Sequence, residues 1–236
     1  MKPQPKEVGA LGERLVSEAL ARLPSGYHHF DNLVVPDPRR SGITTQIDHV
    51  VASKCGVFVI ETKKFQGEIA GEENDRHWVQ LLGHKRFPFP NPLLQNRYHA
   101  EVLSRHLGLS RLASKPVVVF VGLAQLLSAQ LPPNVLTTIA VGVPGLRRYI
   151  EAFTFDRLLD HELSAAVATL VRLKNNGLTA QDHIDSINAR DLGRRLAAAL
   201  QHWRKSRGEP VALCPKAIGL RVAPSIQVNE QRKQGI

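Results

Sequence analysis

Glu61 and Lys63 in the run IETKK, and Asp48 in QIDHVV, are charges set inside strongly apolar sequence. Side chains on a strand alternate faces, so Glu61 and Lys63 share one side while Ile60 and Thr62 take the other. Asp48 precedes Glu61 by thirteen positions, and a short turn between the two segments would bring the carboxylates close together. Charges buried there need a partner or a metal ion. Two carboxylates and a lysine on adjacent strands suit metal-assisted phosphodiester hydrolysis. Asp48, Glu61 and the Thr62 main-chain carbonyl are hard oxygen ligands for Mg²⁺ or Mn²⁺, an ion that keeps several waters while it contacts a phosphate. Lys63 would orient or help deprotonate the attacking water and offset the charge that builds in the transition state. Glu13 is a third carboxylate if its helix packs beside the hairpin, and Gln95 would fix a water or a phosphate oxygen.

Each of these residues also has a plain structural alternative. Asp48, Glu61 and Lys63 could form only an interstrand salt bridge, a glutamate such as Glu13 is favoured in the first turn of a helix by the macrodipole, and Gln95 could cap its helix or face solvent. The histidines, among them His28, His29, His49, His77 and His99, show no HExxH-type spacing and are assigned no metal. Gly9-x-x-Gly12 lacks the lysine and Ser/Thr of a phosphate-cradling loop. Arg39, Arg40, Lys64 and Arg97 are candidates for contacts to nucleic-acid phosphates, as is the cluster at 190–207.

The positioning elements follow from periodicity and turn signals. Leu11 to Leu23 carries one helical face and stops at Pro24-Ser25-Gly26. A short strand over 28–35 precedes two β-rich runs, Thr44 to Ser53 and Val57 to Lys63, whose junction Lys54-Cys55-Gly56 reads as a tight hairpin turn. Gln66 to Leu82 predicts one or two short strands around Trp78, and Leu93 to Leu107 a helix. Lys115 to Val121 and Thr138 to Val143 are continuous apolar runs, as in strands buried on both faces. Helices are expected at 155–173 and 179–206, the second with Thr179 as N-cap. Prolines at 36–38, 87–92 and 132–133 mark loops. This order predicts an α/β sandwich with a central mixed sheet of about five strands flanked by helices.

The ordered set GALGERLVSEAL, TTQIDHVV, GVFVIETKKFQGEIAG, Trp78 and NPLLQNRYHAEVL resembles the nuclease-related domain (NERD) family of the PD-(D/E)xK nuclease superfamily over roughly residues 9–108. The resemblance implies the restriction-endonuclease-like fold, with Glu13 as the helix-one acid, Asp48 as the central acid, Glu61 and Lys63 as the E-x-K pair and Gln95 as the glutamine of the later helix. Ile47 stands where the superfamily name has proline, which is usual for this family. Further on, LCPKAIGLRV (213–222) is similar to the start of a zinc ribbon that has lost its later cysteines. No structural zinc is expected there, because one sulfur cannot replace about four ligands.

Composition bounds the remaining choices. The chain has 236 residues, 43% of them hydrophobic and 22% charged, which suits an ordinary core and excludes wholesale disorder. Two cysteines, Cys55 and Cys214, exclude a disulfide framework. The N-terminal MKPQPKEVGALGERL lacks the apolar run of a signal peptide and no segment is apolar enough to span a bilayer, so a cytoplasmic protein with no membrane partner is expected. The net charge of +10 favours polyanions, and residues 172–236 hold 12 Lys/Arg against 5 Asp/Glu. The domain expected is 1–207, followed by a basic tail over 208–236.

The function expected is a Mg²⁺- or Mn²⁺-dependent nuclease acting on DNA, with RNA as the second substrate. Paired cuts on duplex DNA would need two sites, hence an oligomer such as a homodimer or two visits, and a DNA-processing protein is a further candidate partner. Two alternatives stand beside it: a nucleic-acid-binding or DNA-processing accessory module with little turnover, and a phosphoesterase for a small nucleotide.

Overall fold

A computed structural model of the chain describes residues 5–110, 113–127, 139–141 and 143–206. Its centre is an antiparallel meander of β1 (His28–Pro36), β2 (Thr44–Ser53) and β3 (Gly56–Lys64). The predicted hairpin is present: Ser53 pairs with Gly56 across the two-residue turn. Gly56 has φ +124°, and a Cβ there would meet the Ala113 carbonyl oxygen at 2.6 Å, so both torsion and space require glycine.

Along β2 and β3 most residues from Ile47 to Glu61 are buried, because the sheet is covered on both faces. β7 (Ser114–Val121) and β9 (Ile139–Val141) extend it in parallel, giving the order β1-β2-β3-β7-β9. On one face α1 (Pro5–Leu20) and α3 (Val143–Glu151) bury Val16, Leu20, Leu146 and Ile150 against Phe58, Ile60, Val117 and Val119. On the other, α2 (Pro92–Leu107) and α4 (Asp160–Lys174) bury Val102, Leu103 and Leu170 against Leu33, Val35, Val57 and Val59. The expected α/β sandwich, consistent with a restriction-endonuclease-like fold, is therefore what the chain forms.

Both β1 and β2 break their alternation at one level. Phe30 and Leu33, three apart, join the same apolar cluster, as do Ile47 and Val50. Asn32, with φ +50°, sits between the pairs Asp31↔His49 and Leu33↔Ile47. A left-handed residue there lets both strands turn a different side chain inward.

A second sheet was only partly legible. β4 (Gly67–Ala70), β5 (His77–Leu82), β6 (Lys85–Pro90) and β8 (Ala124–Leu126) pair in the order β6-β5-β4-β8. The prolines at 88 and 90, expected in a loop, lie in β6, an edge strand where a missing N–H costs little. Trp78 is buried and stacks on Phe120, with centroids 6.2 Å apart and planes 3° apart. Its indole N–H donates to the Glu72 carbonyl at 2.9 Å. β3 runs on towards β4, and β7 towards β8, with parallel pairing in both sheets. The ladder continues across the junction: Phe65 N donates to Val121 O and Gly67 N to Leu123 O, both at 3.1 Å.

Helix boundaries also differ from expectation. α1 begins at Pro5 and ends at Leu20, short of Leu23. α3 was not foreseen, because Pro144-Gly145 reads as a breaker although proline is tolerated in a first helical turn. Residues 155–159 precede α4 rather than belonging to it. α5 (Ala180–Ser206) starts as expected after Thr179, whose N–H donates to the Asp182 carboxylate at 2.7 Å. The chain divides into two units, 1–191 and 192–236. The expected tail over 208–236, with LCPKAIGLRV, lies outside the described residues. No described helix is long and apolar enough to cross a membrane.

Candidate active site

Beyond the pair His49↔Ile60 the β2–β3 ladder stops. Asp48 takes over: its Oδ2 accepts the Thr62 backbone N–H at 2.8 Å, so a carboxylate stands where a strand carbonyl would. In β3, Phe58 and Ile60 face α1 and Val57 and Val59 face α2, so alternation sends Glu61 and Lys63 towards α2. Glu61 is 3% exposed. Lys63 Nζ donates to Glu61 Oε1 and, at 3.3 Å, to Gln95 Oε1 on α2. One helical turn after Gln95, His99 places Nδ1 3.3 Å from Glu61 Oε2 without hydrogen-bond alignment, and that oxygen is buried without a donor.

α2 is anchored so that this contact forms. The Asn91 side-chain oxygen accepts from Leu93 N at 2.8 Å, and its amide donates to the carbonyls of Glu73 and Asp75 at 2.9 and 2.7 Å. Asn96, fully buried, donates to Val59 O and Val117 O at 2.9 and 2.8 Å and so fastens the helix to β3 and β7.

The two carboxylates are driven apart in protonation. Burial and the neighbouring Glu61 charge raise the Asp48 pKa well above the usual range, against the lowering effect of the Thr62 N–H. Burial also works against ionised Glu61, but His99 and Lys63 outweigh it and hold its pKa below the ordinary value. At neutral pH Glu61 is the settled anion, and Asp48 carries the cost of a second negative charge beside it. A cation between them would relieve that cost.

Asp48, Glu61, Thr62 and Lys63 line a groove of about 650 Å³ that also takes in Glu13 and Lys64. Gln80, Leu82 and Phe89 of the second sheet form its far wall. α1 lies directly on the floor: a Cβ on Gly12 would meet Lys64 Cβ at 2.9 Å and Thr62 Cγ2 at 3.5 Å. Glu13 thereby reaches the groove, but it joins Asp48 and Glu61 loosely. Among the described residues, His29, Asp31 and His49 are the set of three potential metal-ligating side chains with ligand atoms mutually within 4.8 Å.

The donors fit a hard divalent cation. Asp48 and Glu61 supply carboxylates, and Glu61 Oε2 is buried with no donor. Of the four basic candidates, Lys64 lines the groove. The other three are engaged by carboxylates: Arg40 Nε lies 2.6 Å from Asp37, Arg39 3.1 Å from Glu101 and Arg97 2.9 Å from Glu73.

Residues 8–121 match the family model described as the nuclease-related domain. Over that stretch the chain is similar to the nuclease-related domain family. Glu13, Asp48, Glu61, Lys63 and Gln95 all fall inside it. An uncharacterized protein of Bacillus anthracis is 41% identical over 103 residues, covering 43% of this chain and 48% of the relative. The match thus spans about half the length of that protein. The crystal structure of a protein of unknown function, AF1548, is similar at 15% identity and a TM-score of 0.33, over 77% of this chain and 95% of the other.

The sequence did not single out His99. Its signal was the spacing of four from Gln95, which puts both side chains on one helix face. Nor did it foresee the gathering of His29, Asp31 and His49, which depends on the β1–β2 register.

Proposed function

We propose that the nuclease-related domain hydrolyses phosphodiester bonds of nucleic acid, DNA in preference to RNA, with Mg²⁺ or Mn²⁺ held by Asp48 and Glu61 and by the Thr62 carbonyl, Glu13 adding a further carboxylate. When bound, the ion would lower the pKa of a water and offset charge on the phosphate. The observation that carries this reading is the shared environment of Asp48 and Glu61 at the groove floor. Buried Glu61 and half-buried Asp48, whose ionisation is disfavoured, stand beside a lysine that bridges to Gln95.

The chain's own residues supply the rest. The Thr62 N–H fixes the orientation of Asp48, and His99 and Lys63 keep Glu61 ionised. Lys63 has three N–H groups, of which Glu61 and Gln95 take two, leaving one for a water or a phosphate oxygen. Gln95 holds the ammonium at that position. Lys64 adds positive charge at the groove, and the net charge of +10 favours a polyanionic substrate.

The test is cleavage of linear and circular DNA and of RNA with Mg²⁺, Mn²⁺ or EDTA, in wild type and Asp48→Asn. Cleavage with Mg²⁺ or Mn²⁺ that is lost in EDTA and in the variant supports the proposal. Salt-sensitive binding without any cleavage would replace it with an accessory binding module.

A further inference from the structure

His29, Asp31 and His49 come together where β1 and β2 pair. His29 and Asp31 are two apart on β1, and Asp31 lies directly opposite His49 in the register. His29 Nε2 lies 2.7 Å from Asp31 Oδ1, and His49 Nδ1 lies 2.5 Å from the same oxygen. Ser17 Oγ on α1 donates to the other carboxylate oxygen at 2.7 Å, leaving Oδ1 to the two rings. His49 is 1% exposed.

Hydrogen bonding alone leaves this cluster unsatisfied. Although His29 Nε2 is 2.7 Å from a carboxylate oxygen, its geometry makes no hydrogen bond, and the nitrogen is buried without a partner. A ring nitrogen and an anionic oxygen facing one another so closely, without a shared proton in line, are stabilised by a positive charge that both can bind.

We infer that His29, Asp31 and His49 form a binding site for a divalent transition-metal ion of the zinc class, separate from the groove. Two imidazoles and one carboxylate suit such an ion, whereas Mg²⁺ prefers oxygen ligands alone. Three protein ligands leave a fourth position for water, and the 35% exposure of the Asp31 side chain gives access from solvent. Ser17 is the partner that orients the ligating carboxylate, a part that metal sites commonly assign to a hydroxyl or amide. His49 Nδ1 and Ser17 Oγ hydrogen-bond to the two oxygens of Asp31 and so hold the carboxylate in place. The opposing group is Lys174, whose Nζ donates to the Asp31 main-chain carbonyl at 2.6 Å and adds a positive charge nearby. The two sites share a strand but not their contacts. His49 bonds across to β1, while its chain neighbour Asp48 bonds to β3.

The test is calorimetric titration of the full chain with Zn²⁺ after removal of bound metal, at pH 7.5, for wild type, Asp48→Asn, His29→Ala and His49→Gln, with visible spectra of the Co²⁺ forms. Wild type and Asp48→Asn should both bind Zn²⁺ here, and their Co²⁺ forms should show the intense bands of a four-coordinate site. His29→Ala should weaken binding by at least about 100-fold, since loss of an outer partner already costs 10–100-fold. His49 is buried, so its variant is read beside its melting temperature in EDTA, and the less buried His29→Ala decides. Absence of Zn²⁺ binding by wild type, or binding that Asp48→Asn removes and His29→Ala leaves unchanged, would overturn the inference. Neither outcome bears on cleavage at the groove.

Discussion

His99 Nδ1 stands 3.3 Å from Glu61 Oε2, while Lys63 holds the other oxygen of the same carboxylate. Glu61, on β3, is thus kept ionised from α2 on one side and from its own strand on the other. Burial alone would raise its pKa, and His99 is the largest of the groups that lower it. His99→Ala should therefore let the Glu61 pKa rise and move the acid limb of the pH–kcat/KM profile to higher pH. The expected loss at neutral pH is about tenfold, at the low end for a group that acts through another. An acid limb that does not move would show that His99 is only packing.

Asp48 predicts a conflict between stability and activity. Its folded-state pKa is raised, so between the unfolded value and the folded one the native state binds more protons, and stability falls as pH rises through that window. Above it the cost persists. Asp48→Asn removes the charge and keeps an oxygen for the Thr62 N–H, so in EDTA at pH 8 the variant should melt higher than wild type. For a chain of this size about 2–4 °C corresponds to 1 kcal/mol. Cleavage should be lost, together with the stabilisation that Mg²⁺ gives the wild type. A variant that melts lower would contradict the charge argument.

Lys63→Ala should damage both folding and cleavage. It leaves Glu61, 3% exposed, without its ammonium partner, and breaking a buried pair from one side costs about 3–5 kcal/mol. Adding Glu61→Gln should recover most of that stability, because the orphaned charge is gone. Activity should stay at least about 100-fold down, as expected when a group that stabilises developing charge is removed. Denaturant unfolding of the single and double variants, set beside their cleavage rates, separates the two effects.

Asn91→Ala should cost about 2–3 kcal/mol in denaturant unfolding, more than the roughly 1 kcal/mol of an ordinary N-cap. The same side chain caps α2 and donates to the carbonyls of Glu73 and Asp75. Asn91→Asp keeps the cap but loses those donors, and should fall between wild type and alanine.

Gly12→Ala tests the seat of α1. The new methyl would press on Lys64 Cβ at 2.9 Å, the stiff root of that side chain, and the helix must lift. A loss of about 1–3 kcal/mol is expected, as for other overpacked contacts. Because Glu13 is the next residue, metal-dependent cleavage should fall more than Gly9→Ala lowers it, since a Cβ at Gly9 meets nothing within 4 Å.

The hairpin and its three charges were legible because polar residues interrupting buried strands are costly and therefore conspicuous. Gln95 was legible through the ordered motifs around it. His99 was not, since one histidine on a helix shows nothing until the helix is docked. The cluster of His29, Asp31 and His49 needed the β1–β2 register, which spacing alone does not give. Arg39 and Arg40 looked free in a polar loop, but Asp37, two positions before Arg39 and three before Arg40, binds both. β6 and α3 were hidden by prolines, whose effect depends on whether the position is an edge strand or a first turn.

The seam between the two sheets has a mechanical consequence. Lys64, Phe65, Gln66 and Gly122 all line the groove, and they sit where the β3–β7 ladder passes into the β4–β8 ladder without losing a rung. Spreading the walls means bending two hydrogen-bonded ribbons at one level, with Gly122 at φ +109° already closed on the Phe65 carbonyl. The span between the groove's floor and its outer wall is thus fixed by backbone pairing. Any polymer that enters has to deform to suit it.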